Sequence, residues 1–149
     1  MQFTVFVSTL ITDAEGRLLM VKEKKPKILD KLNLPGGHLE YGEGVVEGAI
    51  REAKEEACID VEISGLVGLF TSVGEDHYLH FIFAGEIMNG GIPKAGLDHV
   101  KDVKWCTVEE IKRFDDEQMV SPQKYREAIE RLQNGQIVPL AVIREKLSL

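Results

Sequence analysis

Apolar residues recur along the chain in two rhythms. From Phe3 to Thr12 the segment FTVFVSTLIT is mostly β-branched or aromatic, the composition of a central strand. Asp13-Ala14-Glu15-Gly16 reads as a turn and Arg17 to Glu23 as a second strand, which together predict a hairpin. Leu32-Asn33-Leu34-Pro35 is a further short strand. At Val45 the rhythm becomes helical. On a wheel of about 100° per residue, Val45, Val46, Ala49, Ile50, Ala53 and Ala57 share one face, and Glu47, Arg51 and Lys54 lie opposite. Asp60 to Val73 alternates and carries Gly65 and Gly68, predicting a strand with a bulge, and His77 to Met88 returns as a long strand. Val100 to Cys106 is another strand, followed by Thr107 as the N-cap of a short helix to about Phe114. Ser121 and Pro122 open a last helix, as cap and first position, which stops at Asn134-Gly135. The tail from Pro139 reads either as a short strand or as a packing arm. The order β-β-β-α-β-β-β-α-α predicts an α/β fold, a mixed sheet flanked by helices on both sides.

Length and composition narrow the class. The 149 residues suit one domain, 1–149, with an ordinary globular balance of 44% hydrophobic and 29% charged residues. A net charge of −7 and a pI near 5.1 argue against general binding to nucleic acid or to an anionic membrane. Small anionic substrates remain compatible, because a bound metal reverses the local sign. Cys58 and Cys106 are far apart and in no metal-type spacing, so they read as reduced thiols of a cytoplasmic protein. The apolar opening lacks a basic flank and is about half a membrane span, so it reads as a strand and not as a targeting segment.

The chemistry concentrates around the first helix. Pro35, Gly36, Gly37, Gly42 and Gly44 crowd the turn before it, where a helix cannot easily form. Behind them, Glu52, Glu55 and Glu56 gather along one margin of the apolar stripe. Like charges so placed repel, and a hard divalent cation with oxygen ligands removes that penalty. Arg51 is one turn from both Glu47 and Glu55 and can hold the cluster in place. The stretch from Gly36 to Ile59 resembles the signature of the Nudix hydrolases, G-x5-E-x7-R-E-U-x-E-E-x-G-U, where U is a bulky apolar residue. Gly37, Glu43, Arg51, Glu52, Glu55, Glu56 and Ile59 match, and Ala53 is a small occupant of the first U position. Cys58 stands where the family has its last glycine. A side chain there costs about 1 kcal/mol if the left-handed turn is kept, so a local shift is expected.

The resemblance implies an α/β/α sandwich with a central mixed sheet. It also implies magnesium-dependent hydrolysis, with manganese as a substitute, of a phosphoanhydride bond in a nucleoside di- or triphosphate or a related organic pyrophosphate. By that resemblance Glu52, Glu55, Glu56 and the Gly36 carbonyl are metal ligands. Glu52 is the general base, with Glu55 as second candidate. Gly37, Glu43 and Arg51 support or orient the glutamates. An extra ligand is expected from the loop before the Trp105 strand, where Asp98 is the first choice over His99 and Asp102. Tyr78 and His80, on one face of the long strand, and Asn33 are candidate contacts for a base or phosphate. The loop from Lys22 to Lys31 holds five lysines and is either solvated or a phosphate-attracting mouth. Many relatives have a Trp where this chain has Leu32.

Relatives acting on ADP-ribose usually carry a proline some way past the signature, and this chain has none between Pro35 and Pro93. The segments HLEYGE, LHFIFAGEI, VKWCTVEEI and NGQIVPL are instead similar to the phosphatase-type branch, which acts on nucleoside di- and triphosphates and on hydroxymethylpyrimidine pyrophosphate. An 8-oxo-dGTP-type housecleaning pyrophosphatase and a non-catalytic metabolite-sensing module are the alternatives. The expected partner is a small molecule, without nucleic acid or membrane. The edge of the Phe3–Ile11 strand is the candidate contact for a homodimer.

Overall fold

In a computed structural model that describes residues 2–148, β1 (Phe3–Thr12) sits inside a seven-stranded mixed sheet. From Val7 to Ile11 its residues are buried on both faces, while Phe3 is exposed. Val7, Leu10 and Ile11 are fully enclosed, as are Ser8 and Thr9. Strand β6 (His77–Ile87) runs parallel to it, in register from Phe3 with His77 to Thr12 with Glu86. On the other side, β2 (Leu18–Glu23) meets β1 only at Thr12 and Leu18. The expected hairpin therefore opens. β2 pairs along its length with β7 (Val100–Cys106), and β3 (Leu32–Asn33) pairs with it at Val21 and Lys22. β4 (Gly36–His38), a strand the apolar pattern does not announce, pairs with β1 at Phe6–Ser8. Both sides of β1 are thus occupied, which removes the Phe3–Ile11 edge as a contact between copies.

Strand β5 (Val61–Val73) forms an antiparallel hairpin with β6, with register shifts at Ile63/Gly65 and Leu66/Gly68, where the two glycines predict irregularity. Alternation along the strands divides the core in two. Val7, Ile11, Leu19 and Phe83 pack beneath α1 (Val45–Ala57). Leu10, Leu18, Met20 and Ile82 pack beneath α2 (Val108–Arg113) and α3 (Pro122–Gln133). The result is the α/β/α sandwich. Among the described residues no helix is long and apolar enough to cross a membrane.

Helix ends follow the sequence in part. Thr107 caps α2 through a full capping box with Glu110. Pro122 takes the first turn of α3, but the Ser121 hydroxyl does not cap it; the Ser121 carbonyl accepts from Tyr125 N–H instead. The tail is a packing arm. Val138 bridges to Leu66, Glu145 accepts from Val45 N–H at the start of α1, and Lys146 pairs with Glu47 at 2.8 Å. Cys58 ends α1 at φ 56°, ψ 35°, with its N–H on the Lys54 carbonyl. The left-handed cap is kept, and the expected local shift does not occur. Cys58→Gly is therefore expected to raise stability by up to about 1 kcal/mol in urea unfolding; a loss of stability would show that the thiol's packing outweighs the backbone strain.

Candidate active site

Helix α1 turns seven residues to the protein interior, and two of them are acids: Glu52 and Glu56 are buried beside Val45, Ala49 and Ala53. Ile50, assigned to the apolar face by the wheel, is instead 38% exposed. The glycine segment explains how acids fit there. Gly36 N–H donates to Glu56 Oε1 at 2.9 Å. A Cβ on Gly37 would come within 2.6 Å of Glu52 Oε1, so only glycine lets that carboxylate lie against β4. A Cβ on Gly36 would overlap Ser8. Burial pushes Glu56 up to about 7, and the charges of Glu52 and Glu23 add to the shift. Burial also raises Glu52, against the pull of Arg51.

Arg51 ties the remaining acids together. It grips Glu43 with two bonds, Nε to Oε2 at 2.9 Å and Nη2 to Oε1 at 2.8 Å. Its Nη1 donates to Glu52 and to the half-buried Glu55, each at 2.9 Å, and Nη2 also reaches the His38 carbonyl. Glu47, expected within its reach, pairs with Lys146 instead. Glu43 also accepts from Glu40 N–H, which fixes the turn before the helix.

In the loop before β7, His99, and not Asp98, is the residue whose side chain is in contact with the carboxylate helix. Asp98 is exposed and makes no hydrogen bond or ion pair among the described residues. Its neighbour His99 points inward, with Nε2 2.8 Å from Glu56 Oε2. Asp102 lies on β7, exposed, its carboxylate on Val103 N–H. The loop is held by two bonds to the end of α1, Lys94 N–H to Ala57 O and Gly96 N–H to Glu56 O.

Beyond Gly36 and Gly37, toward α3, a cavity of about 190 Å³ is lined by Phe6, Ser8, Glu23, Asn33, His80 and Lys124, among others. His80 bridges its wall. Lys124 Nζ donates to Nδ1 at 3.0 Å, so Nε2 carries the proton and donates to Ser8 Oγ at 2.7 Å. Burial, reinforced by the Lys124 charge, holds His80 down at about 3. Burial lowers Lys124 as well. Tyr78 is half-buried, its ring stacked near Phe6 with centroids 6.0 Å apart. Asn33 is committed to protein partners. Its Oδ1 accepts from Leu34 N–H and the Tyr125 hydroxyl, and its Nδ2 donates to Glu23 Oε1 at 2.9 Å. From the lysine loop, Lys25 reaches the cavity lining. Leu32 is buried in the core, and Phe6 and Tyr125 are aromatic side chains at the cavity.

Sequence reasoning passed over Phe6, Ser8, Glu23 and Lys124. Ser8 had a signal, a hydroxyl inside an apolar run, and so had Glu23, an acid closing a buried strand. Lys124 had none.

Among the described residues, no group of three or more acidic, histidine or cysteine side chains is already gathered as a metal cage. Arg51 occupies the space between Glu43, Glu52 and Glu55. The donor set nevertheless fits a hard cation, because it is made of carboxylates whose charged forms are disfavoured by burial and by one another.

A fold of this topology with a glycine turn feeding a carboxylate-bearing helix defines the Nudix hydrolases. A family model described as the NUDIX domain matches residues 2–128, and the chain belongs to that family and is a hydrolase. Members of the family generally depend on divalent metal. Among similar proteins, a Methanocaldococcus jannaschii ADP-ribose pyrophosphatase is 29% identical over 115 residues, covering 74% of this chain and 67% of the relative. The phosphatase NudJ of Escherichia coli K12 is 32% identical over 136 residues, covering 89% and 86%. A NUDIX hydrolase structure from Nitrosomonas europaea superposes with a TM-score of 0.86 at 24% identity, covering 97% and 98%.

His80 makes a testable signature of the cavity wall. The unfolded chain takes a proton on this residue below its ordinary value of 6.5, whereas the folded chain resists until about 3. Folding stability is therefore expected to fall as pH drops through that window, with His80 contributing about 1–2 kcal/mol of the loss by pH 5. His80→Asn, which cannot titrate, should show a shallower decline in urea unfolding between pH 7 and pH 5. Equal slopes would remove His80 as the cause.

Proposed function

We propose that this chain is a magnesium- or manganese-dependent hydrolase of a phosphoanhydride bond in a nucleoside di- or triphosphate or a related organic pyrophosphate. The observation that carries the proposal is the pair of buried acids, Glu52 and Glu56, held against Gly36 and Gly37 at the border of a cavity with a half-buried lysine. Glu52, Glu55, Glu56 and the Gly36 carbonyl would hold the metal, which would neutralise phosphate charge and acidify water. Glu52 is the residue we assign as general base, a buried carboxylate held beside Gly37 and Arg51. Glu55 is the second candidate. Arg51 positions the acids, and Glu43 anchors Arg51. His99 orients Glu56, the part expected of a partner behind a ligand. Of the loop candidates the geometry favours His99 over Asp98 and Asp102.

The cavity matches one heterocycle better than two nucleosides, being smaller than the usual pocket of a few hundred Å³. That supports a small nucleotide or pyrophosphate, and one relative is named as a phosphatase. The ADP-ribose relative keeps that dinucleotide-like substrate in the test panel. The negative net charge is in keeping with no nucleic-acid partner, and two free thiols are in keeping with a cytoplasmic setting.

The test is phosphate or pyrophosphate release from nucleoside di- and triphosphates, 8-oxo-dGTP and ADP-ribose, with and without magnesium. Glu55→Gln and Glu56→Gln are each expected to lower kcat at least a hundredfold with the fold retained. Magnesium should raise the parent's melting temperature, by RT ln(1 + [L]/Kd) in free energy, and leave a Glu52/Glu55/Glu56→Gln triple variant unmoved. A panel without magnesium-dependent turnover would favour a sensing module. In the loop, His99→Ala should lower kcat about tenfold or more, whereas Asp98→Asn stays within about twofold of the parent; the reverse result would return Asp98 as the ligand.

A further inference from the structure

Glu23 closes β2 with 1% exposure, yet it is not part of the carboxylate helix. One of its oxygens, Oε1, accepts from Asn33 Nδ2 at 2.9 Å. The other, Oε2, is buried and has no hydrogen-bond partner among the described residues. A buried carboxylate oxygen left bare is costly, so a group to satisfy it is the natural expectation. The carboxylate is also fixed in orientation. Asn33 Oδ1 is held by Leu34 N–H and the Tyr125 hydroxyl, so the amide cannot flip and must present its NH₂ to Glu23. Glu23 lines the same cavity as Lys124, which spends one hydrogen on His80 and keeps others free. Phe6 adds an aromatic wall.

We propose that Glu23 is a specificity-determining residue that selects a planar heterocycle bearing an exocyclic amino group. The amino group donates to Glu23 Oε2, a ring nitrogen or carbonyl of the same heterocycle accepts from Lys124, and Phe6 lies against the ring. This deepens the hydrolase proposal and rests on it for the phosphates lying beyond Gly36 and Gly37. A site built to accept from a substrate N–H discriminates strongly against the analogue that lacks it, because the buried acceptor is then left unpaired. Two sources share the chemistry, the 2-amino-6-oxo edge of guanine and the 4-amino edge of cytosine-type pyrimidines.

The experiment compares kcat/KM for GTP against ITP and for CTP against UTP, each pair differing in the amino group, in the parent and in Glu23→Gln. In the variant, Asn33 Nδ2 claims the glutamine carbonyl and turns the glutamine NH₂ toward the substrate, a donor facing a donor. The parent is expected to prefer the amino-bearing member of at least one pair tenfold or more, and Glu23→Gln to bring that ratio within threefold. Preference in the first pair alone assigns the guanine edge, and in the second alone the aminopyrimidine edge. Parent ratios all within threefold would overturn the proposal, whatever the variant's folding. So would a variant that lowers all four values by one common factor, which would place Glu23 with the metal. If the parent hydrolyses nothing, the hydrolase proposal fails, and the same pairs measured by calorimetric binding decide the amino preference separately on the same tenfold criterion.

Discussion

The contact on which the site depends is the hydrogen bond from Gly36 N–H to Glu56 at 2.9 Å, across the seam between β4 and α1. Without such a donor, a carboxylate buried that deeply among apolar residues would be expelled or held neutral. The bond requires β4 to lie flat against both β1 and the helix, and that is possible because residues 36 and 37 have no side chains to separate them. The opened hairpin of β1 and β2 belongs to the same arrangement, since the two strands diverge and leave β1 free to pair with Gly36–His38.

Two linked environments result on either side of the glycines. On the α1 side, one guanidinium meets three acids. On the α3 side, a neutral histidine and a half-buried lysine line a cavity that also holds a carboxylate. An anionic substrate whose phosphates face the acids and whose ring enters the cavity would use both. The protein keeps their charges apart with two residues of backbone.

Helices and long strands were legible in the sequence because local rules decide them. Val45–Ala57, Phe3–Thr12 and Val100–Cys106 coincide with their predicted limits, and Thr107 caps as its chemistry dictates. The spacing of Glu52, Glu55, Glu56 and Arg51 identified the carboxylate helix. What was not legible came from tertiary pairing. Nothing local says that β2 abandons β1 for β7, or that Gly36–His38 becomes a strand. The same holds for Ile50, which the wheel buries and the packing exposes, and for the contact of His99 with Glu56, while Asp98 beside it stays exposed. Lys124 reaches the cavity only because α3 docks on the sheet 44 residues downstream of its partner His80.

The start of α1 is closed by Glu145, 100 residues further along the chain. Synthesis proceeds from the N-terminus, so the segment from Gly36 to Ala57 emerges long before the carboxylate that completes its first turn. That contact can form only after β5, β6, β7 and α3 have been made, so one end of the acid-bearing helix is completed by a segment that follows all of them.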